Sequence, residues 1–244
     1  MRFSRTEILI GKEGVERLAR AKVAVFGLGG VGGYAVEAFA RAGIGTIRLV
    51  DCDVVELSNL NRQILAVEGT LGMPKVDVAA CRILEINPAA NVEAVRETIT
   101  RENAAGLIPA DLEYAVDAID SVDAKVHLIV ALIKKDVRFV SCMGAGSRLR
   151  PTAIKIDDIS RTKYCPLARV VRQRLRKFGV HEGVRCIYSE ENLNPAVEAE
   201  PSPEHLDAKP VRKRRIQGSI SFIPGIIGLA AAGAIINDIL STPT

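Results

Sequence analysis

A glycine-rich turn between an apolar strand and an amphipathic helix limits this chain to a small set of folds. Residues 22–26 form a short apolar run typical of a buried strand, and residues 34–42 repeat apolar side chains at helical spacing. The turn between them contains a G-x-G-x-x-G pattern, formed by Gly27, Gly29 and Gly32, and two further glycines, Gly30 and Gly33. Exposed N–H groups in such a turn, together with the positive end of the following helix, attract phosphate oxygens. The pattern predicts a nucleotide-binding unit but does not identify the nucleotide.

The alternation of apolar strands and helices continues beyond this unit. Further predicted strands cover residues 46–50, 114–119 and 138–142, and further predicted helices cover residues 74–87 and 125–135. With 244 residues, 48% of them hydrophobic, the chain is long enough to bury a complete core. Strands that alternate with helices build a mostly parallel sheet that is covered on both faces. The predicted fold class is therefore α/β and Rossmann-like, with a mostly parallel sheet and helices on both faces.

The second part of the chain has a different character, and we assign it to an extension of the same domain. Residues 1–150 form the predicted nucleotide-binding core, and residues 151–244 form the extension. In the extension we predict an antiparallel strand, a basic helix, a mobile crossover loop, and an apolar strand followed by a helix, at residues 152–156, 166–178, 189–218 and 219–240.

The last apolar segment has two interpretations. Residues 219–237 contain no charged side chain, and a run of about this length can cross a bilayer. One proline and three glycines interrupt the run, at Pro224, Gly225, Gly228 and Gly233. Because small residues suit close packing inside a protein, we favour a strand over residues 219–223 and a buried helix after it. Contact with a membrane is not expected.

Polar side chains follow the second strand, on the side where open α/β sheets bind their ligands. Asp51 ends this strand, where an acid can accept hydrogen bonds from ribose hydroxyls. Asn59, Arg62 and Gln63 come soon afterwards. An arginine at this place can donate paired hydrogen bonds to a phosphate. These residues are therefore candidates for a nucleotide site.

Two charged residues further along the chain narrow the choice of nucleotide. Lys75 lies in the first turn of a predicted helix, where the helix field gives no reason for a cation but a bound phosphate would. Asp120 ends a predicted strand and is a candidate magnesium ligand. An NAD-dependent oxidoreductase would account for the glycine turn and Asp51, but it would leave Arg62, Lys75 and Asp120 without a role.

Cysteine and histidine usage argues against a structural zinc site. The five cysteines are irregularly spaced without a C-x-x-C pair, and the three histidines are scattered. Reduced thiols of this kind fit a cytoplasmic protein. Cys165 precedes a proline and follows basic residues that can lower the pKa of a thiol. We nevertheless interpret Cys165 and Cys186 as structural rather than catalytic.

Positive charge is concentrated in two stretches, although the net charge is only +4. The residues concerned are Arg161, Lys163, Arg169, Arg172 and Arg176 in the first stretch, and Arg212, Lys213, Arg214 and Arg215 in the second. Such clusters can neutralise the phosphates of a nucleic acid. A solvated helix face and a basic loop are the alternative, and composition alone leaves both interpretations open.

Six short motifs together resemble the MoeB/ThiF adenylyltransferase superfamily, which is related to ubiquitin-activating enzymes. The motifs are residues 2–5, 27–33, 51–53, 58–63, 72–75 and 117–120. The resemblance implies ATP and Mg²⁺ as cofactors and activation of a carboxylate as an acyl-adenylate, so that residues 1–150 would be an adenylation core. It also implies a homodimer, in which Arg5 enters the active site of the partner.

The same resemblance assigns roles to the candidate site residues. Nucleotide contacts are implied for the glycine turn and for Asp51, Asp53, Asn59 and Gln63. Charge that develops on the phosphates requires cations, and the resemblance implies Arg62, Lys75 and a magnesium ion on Asp120.

Motifs in the extension resemble one branch, the tRNA threonylcarbamoyladenosine dehydratases. Residues 158–163 and 218–224 carry this resemblance together with the basic helix. In that branch the carboxylate belongs to a threonylcarbamoyl group on an adenosine beside the anticodon, and adenylation lets the group close into a ring. The resemblance implies tRNA as a partner, contacted by the basic stretches through its phosphates, and it leaves room for a sulfur-transfer protein.

The main alternative is adenylation of the C-terminal Gly-Gly of a ubiquitin-like sulfur carrier protein, as in molybdopterin or thiamine biosynthesis. Such relatives share the adenylation motifs, so the first half of the chain does not separate the two functions. Many of them carry two C-x-x-C zinc pairs, which this sequence lacks. This difference and the basic extension favour the tRNA interpretation.

Overall fold

A seven-stranded sheet forms the centre of the computed structural model, which describes residues 2–192 and 218–241. The strands are β1 (Lys22–Phe26), β2 (Thr46–Val50), β3 (Asn91–Val95), β4 (Tyr114–Asp117), β5 (Arg138–Cys142), β6 (Ile154–Asp158) and β7 (Arg185–Ser189). Their order across the sheet is β3-β2-β1-β4-β5-β7-β6. Neighbouring strands run parallel except β6 and β7, which pair antiparallel. The predicted α/β class with a mostly parallel sheet is confirmed.

Helices cover both faces of this sheet. They are α1 (Ser4–Arg20), α2 (Gly32–Ala42), α3 (Lys75–Ile86), α4 (Val122–Lys134), α5 (Pro166–Leu175) and α6 (Phe222–Ser241). Successive side chains of a strand point to opposite faces, so β1 serves two cores. Val25 belongs to the core formed with α2, α3 and α6, whereas Phe26 packs in the core that contains Leu128 of α4. A third cluster joins α4 to α5 and β7.

The strand order places a crevice between β1 and β4. From β1 the chain proceeds to β2 on one side, whereas β4 lies on the other side. In open parallel sheets a ligand binds outside the carboxyl ends of the strands at such a switch point. The glycine turn follows β1 and Asp120 follows β4, so both lie at this crevice.

Three elements are present that the sequence pattern did not predict. β3 lies at one edge of the sheet and alternates apolar with polar side chains, which gives it little apolar signal. β7 is buried between β5 and β6, but its five residues include an arginine, a serine and a cysteine. α1 contains a break at Gly11, where φ is +75°, so that its apolar spacing does not follow one helical period.

The extension adopts most of its predicted elements, with one correction. The predicted antiparallel strand is β6, and the predicted basic helix is α5 followed by a 3₁₀ turn at Arg176–Phe178. The strand predicted over residues 219–223 is wrong, because α6 begins at Phe222. We treated Pro224 as a helix breaker, but in the first turn of a helix its missing N–H would have had no acceptor. The predicted mobile loop lies almost entirely outside the described residues.

α6 packs on α2 through small residues. A side-chain carbon at Gly228 would lie 2.2 Å from the carbonyl oxygen of Val31, so the close approach requires glycine. Ile227, Ala231 and Ile235 are fully buried in the core. By length and composition α6 could cross a membrane, but half of its most apolar window is buried within the protein.

Candidate nucleotide-binding site

The glycine turn fits tightly against the loop that follows β4. Gly27 has φ +90°, and a side-chain carbon there would lie 2.8 Å from the carbonyl oxygen of Ala118. At Gly32 the same carbon would lie 1.8 Å from the carbonyl oxygen of Gly27. Gly29 is different, because the nearest described atom would be Nε2 of Gln63 at 4.0 Å. The turn is therefore packed on its inner side and accessible at Gly29, where a phosphate can approach the backbone.

Asp51 holds the glycine turn against the end of β2. Its Oδ2 accepts the N–H of Leu28 at 2.5 Å, and its Oδ1 accepts the N–H of Asp53 at 2.8 Å. Each carboxylate oxygen keeps a second lone pair, which suits a ribose hydroxyl. Besides its predicted contact with the ribose, Asp51 therefore has a second role: it positions the glycine turn.

Lys75 is buried at the start of α3 and is held by Asp53. Its Nζ lies 2.9 Å from Oδ2 of Asp53, and the lysine side chain is only 6% exposed. Burial raises the pKa of Asp53, but the hydrogen bond and the charge of Lys75 outweigh that effect and leave the pKa below its usual value. The two residues therefore carry opposite charges at neutral pH. A phosphate that binds Lys75 would therefore compete with Asp53 for the ammonium group.

The loop after β2 brings the predicted polar residues together, with different functions. Asn59 is buried, and its Oδ1 accepts the N–H of Glu56, so it shapes the loop. Arg62 is half-buried and donates from Nη1 to the carbonyl oxygen of Ser58. The Oε1 atom of Gln63 is buried and has no hydrogen-bond partner among the described residues. A buried acceptor of this kind is costly unless a ligand satisfies it, which fits Gln63 to the nucleotide.

Asp120 lies at the crevice, and a buried cluster that we did not predict lies beneath it. Asp117 and Lys125 are both fully buried, and Nζ of Lys125 lies 2.8 Å from Oδ2 of Asp117. Ser141 donates to the same oxygen at 2.6 Å, whereas Oδ1 accepts the N–H of Ile119 at 3.1 Å. The cluster fixes the backbone that carries Asp120. Asp117 belongs to the motif at residues 117–120, but no sequence signal paired it with Lys125 of α4 or with Ser141 of β5.

Arg5 is the one predicted catalytic residue that the fold does not bring to the crevice. The ring of Phe3 lies against Gly43, which follows α2, and Arg2 donates to the carbonyl oxygen of Ile86 at the end of α3. Both helices begin at the carboxyl edge of the sheet, so their ends lie at the opposite edge. The chain next to Arg5 is therefore separated from the glycine turn by the length of α2, about 16 Å for 11 residues.

The described part of the basic surface lies on and before α5. Arg161, Lys163, Arg169 and Arg176 are exposed. Arg172 is partly buried, and its Nη1 donates to the carbonyl oxygen of Ile159 at 3.0 Å and to Oγ1 of Thr162 at 2.6 Å. These bonds give Arg172 a role in the fold, and its contact with tRNA stays a prediction. Arg212, Lys213, Arg214 and Arg215 lie outside the described residues.

The two buried cysteines of the extension add no reactive group to this site. Cys165 and Cys186 are buried, and burial raises the pKa of the Cys186 thiol far above its usual value. The burial of both sulfur atoms supports their interpretation as structural residues. Asp51, Cys52 and Asp53 form one group whose ligand atoms lie within 4.8 Å of one another, and it borders the crevice.

Comparison with known proteins identifies the class. The model of the ThiF family matches residues 3–244, and the chain belongs to that family. It is 42% identical to a tRNA threonylcarbamoyladenosine dehydratase of Bacillus subtilis over 241 residues, which are 98% of this chain and 94% of the relative. It is also 37% identical to a molybdopterin-synthase adenylyltransferase of Haemophilus influenzae over 178 residues, 72% of each chain.

A solved structure shows the same fold. The E. coli tRNA N6-threonylcarbamoyladenosine dehydratase TcdA in complex with ATP superimposes with a TM-score of 0.87 and 34% sequence identity. The match covers 98% of this chain and 94% of that chain. The predicted family is thus confirmed over almost the whole length, including the extension.

Proposed function

We propose that this protein is an ATP-dependent tRNA threonylcarbamoyladenosine dehydratase. The observation that carries the proposal is the extent of the similarity to the Bacillus subtilis enzyme, which includes the extension as well as the nucleotide-binding core. The adenylation motifs alone are shared with carrier-protein adenylyltransferases, so only the extension can separate the two functions. The exposed arginines on and before α5 supply a surface that suits tRNA phosphates.

The crevice can activate a carboxylate. N–H groups of the glycine turn bind the phosphates of ATP, while Arg62 and Lys75 offset the charge that develops on them. A carboxylate oxygen of the threonylcarbamoyl group attacks the α-phosphorus, a new P–O bond forms, and pyrophosphate leaves. An atom of the same group then attacks the acyl carbon, loses its proton, and displaces AMP. The net result is loss of one water from the modified adenosine.

Magnesium fits the donor set of this crevice. Asp120 is an exposed carboxylate directly after β4, and oxygen ligands of this type are the ones that Mg²⁺ prefers. A bound Mg²⁺ would neutralise phosphate charge and so assist the departure of pyrophosphate. Asp120 would hold the ion, and the Asp117–Lys125–Ser141 cluster would fix the position of Asp120.

We also propose a cytoplasmic homodimer in which Arg5 completes the site of the partner. Two observations support it: Arg5 belongs to the opposite edge of its own sheet, and the neighbouring Ile8 and Leu9 are more than four-fifths exposed. Apolar side chains as exposed as these suit an interface between subunits. The five cysteines are all unpaired, which fits a reducing compartment.

One assay separates the two candidate functions. The protein is incubated with ATP, Mg²⁺ and tRNA that carries threonylcarbamoyladenosine, and the nucleosides are weighed after digestion. Loss of one water supports the dehydratase. Pyrophosphate exchange that requires a carrier protein ending in Gly-Gly, with no change in nucleoside mass, would contradict it and favour the carrier-protein function. The Asp120→Ala variant, which should fold normally, serves as the inactive control.

A further inference from the structure

Arg148 is a buried arginine whose hydrogen-bonding capacity is mostly unused. It lies in the loop after β5 and is 2% exposed. Its Nη2 donates to the carbonyl oxygen of Tyr164 at 3.0 Å. Its Nε and Nη1 atoms are buried as well, and they have no partner within residues 2–192 and 218–241. Because a buried guanidinium without acceptors is strongly disfavoured, such a residue requires an explanation.

A carboxylate balances the charge of Arg148 without using these donors. Oε2 of the buried Glu191 accepts the N–H groups of Leu149 and Arg150, at 2.9 and 2.7 Å. Burial raises the pKa of Glu191, but these hydrogen bonds and the charges of Arg150 and Arg148 leave it below its usual value. Glu191 is thus a negative neighbour, although Nε and Nη1 of Arg148 donate to no described carboxylate. Two donors remain for an anionic group from outside.

The backbone on both sides of the guanidinium is strained. Ser147, directly before Arg148, and Tyr164, which accepts its hydrogen bond, both have φ of +57°. Within the described residues only Asp136 shares this left-handed conformation among the non-glycine residues. A bulky residue such as tyrosine adopts it rarely, and strain of this kind is concentrated at ligand sites. The ring of Tyr164 is itself 61% exposed.

The position of the loop relates Arg148 to both halves of the proposed site. β4 and β5 are parallel with Asp117 opposite Ser141, so the loops that follow them leave the same edge of the sheet. One of these loops carries Asp120 and the other carries Arg148. Gly144, in the latter loop, packs against Leu167 in the first turn of the basic helix α5. Arg148 therefore lies in the loop that connects the nucleotide edge with the basic surface.

We propose that Arg148 binds an oxyanion of the substrate nucleotide. The inference rests on the proposed function, since it takes the substrate to be a modified nucleotide of tRNA. Two sources supply the same chemistry: the carboxylate of the threonylcarbamoyl group, and a phosphate of the tRNA backbone. An arginine suits either, because its N–H groups form charge-assisted hydrogen bonds with carboxylate and phosphate oxygens.

Binding of tRNA to an Arg148→Met variant tests the proposal. Methionine keeps an unbranched side chain but removes the charge and the donors. We expect the affinity for threonylcarbamoylated tRNA to fall about tenfold or more, with ATP affinity unchanged. Arg41→Met is the matched control, because Arg41 lies near the end of α2, at the opposite edge of the sheet, where it is paired with Glu37.

The two sources of the oxyanion give different results. If Arg148 binds the carboxylate, Arg148→Met weakens binding of modified tRNA but leaves binding of unmodified tRNA unchanged. If Arg148 binds a phosphate, both tRNAs bind more weakly. The slope of log affinity against log salt concentration then becomes shallower by about the contribution of one phosphate contact. Unchanged binding of both tRNAs would overturn the proposal.

A stability measurement separates this role from a structural one. Arg148→Met loses the hydrogen bond to Tyr164 and the positive charge near Glu191, so a modest fall in melting temperature is expected. A variant that binds ATP as weakly as it binds tRNA has lost the fold of the site rather than one contact, and that result contradicts the proposal. Should Arg148→Met not fold, Arg148→Lys decides: it keeps the charge, and the proposal requires about threefold or greater loss of affinity for modified tRNA. Dehydration by the unaltered protein is measured separately, so failure of the function and failure of this inference are distinguishable.

Discussion

At the scale of single residues, the site depends on buried polar groups as much as on the residues that would touch ATP. Asp117 joins three elements, because it belongs to β4 and is bonded to Lys125 of α4 and Ser141 of β5. Its other oxygen holds the N–H of Ile119, one residue before Asp120. A buried carboxylate that accepts three such hydrogen bonds fixes the backbone more firmly than apolar packing would.

Removal of Lys125 should therefore affect both stability and adenylation. Lys125→Met leaves the Asp117 carboxylate buried without its cation, which we expect to cost about 3 kcal/mol or more of unfolding free energy. Ser141→Ala removes one hydrogen bond of the same cluster and should cost only about 1 kcal/mol. Urea denaturation of both variants measures the difference. Equal losses would contradict the assignment of Lys125 as the essential partner.

The glycine turn provides a second test at this scale. Gly32→Ala would force a methyl group to within 1.8 Å of the carbonyl oxygen of Gly27, so the turn must move. We expect loss of ATP binding and a destabilisation of about 3 kcal/mol. Gly69→Ala is the control, because no described atom lies within 4 Å of that position. Calorimetric titration with ATP distinguishes the two, and normal binding by Gly32→Ala would show that the turn tolerates a side chain.

The residues at the crevice could be placed from the sequence, whereas the buried polar ones could not. Gly27, Asp51 and Lys75 follow predicted strands or begin predicted helices, so their position in the chain already places them at one edge of the sheet. Lys125 and Arg148 have no such signal. Their roles depend on which tertiary neighbours bury them, and a lysine or arginine is exposed in most proteins.

At the scale of elements, the contact between α2 and α6 supports the glycine turn from behind. Pro224, in the first turn of α6, packs closely against Gly30 of the turn. A side-chain carbon added at Gly30 would lie only 3.1 Å from Cβ of Pro224. Asn61 donates to the carbonyl oxygen of Ser219, just before α6, at 3.0 Å. The helix that we predicted as a membrane-independent core element thus borders the nucleotide site.

Two glycines of α6 give a matched pair of variants. Gly228→Ala should push α6 away from Val31 and lower both stability and ATP affinity, because the added carbon meets a carbonyl oxygen at 2.2 Å. Gly233→Ala meets no described atom within 4 Å and should stabilise the helix by up to about 1 kcal/mol. Thermal melts of the two variants should move in opposite directions. Melts that move together would contradict the packing of α6 on α2.

Element prediction succeeded where the apolar pattern was regular and failed where pairing partners decide the structure. The four strands predicted in the core are correct to within two residues, since each is a short apolar run. β3 and β7 form because they pair with the neighbouring strands β2 and β6, whereas the apolar pattern of their own residues is weaker. α6 begins earlier than predicted because a proline is acceptable in the first turn.

At the scale of the whole molecule, the sheet has two edges with different functions. The carboxyl edge carries the glycine turn, Asp120 and Arg148, whereas the chain around Arg5 is anchored at the amino edge by Phe3 and Arg2. If Arg5 is catalytic, it must act on another molecule. The position of Arg5 is therefore an argument for the proposed dimer.

Subunit complementation tests this arrangement. Arg5→Ala and Asp120→Ala should each be inactive alone. When the two variants are mixed and exchange subunits, each mixed dimer regains one intact site, so about a quarter of the original activity should return. Adenylation by the mixture is compared with that of each variant. No recovery in dimers shown by mass to be mixed would mean that Arg5 acts within its own subunit or not at all.

The contact between α6 and the glycine turn also has a consequence for the order of synthesis. The turn leaves the ribosome well before the helix that supports it, because about 190 residues separate Gly32 from Phe222, where that helix begins. At translation rates of about 5–20 residues per second, the nascent nucleotide site stays incomplete for about 10–40 s. A newborn chain of this kind would gain its capacity to bind ATP only as its final helix docks.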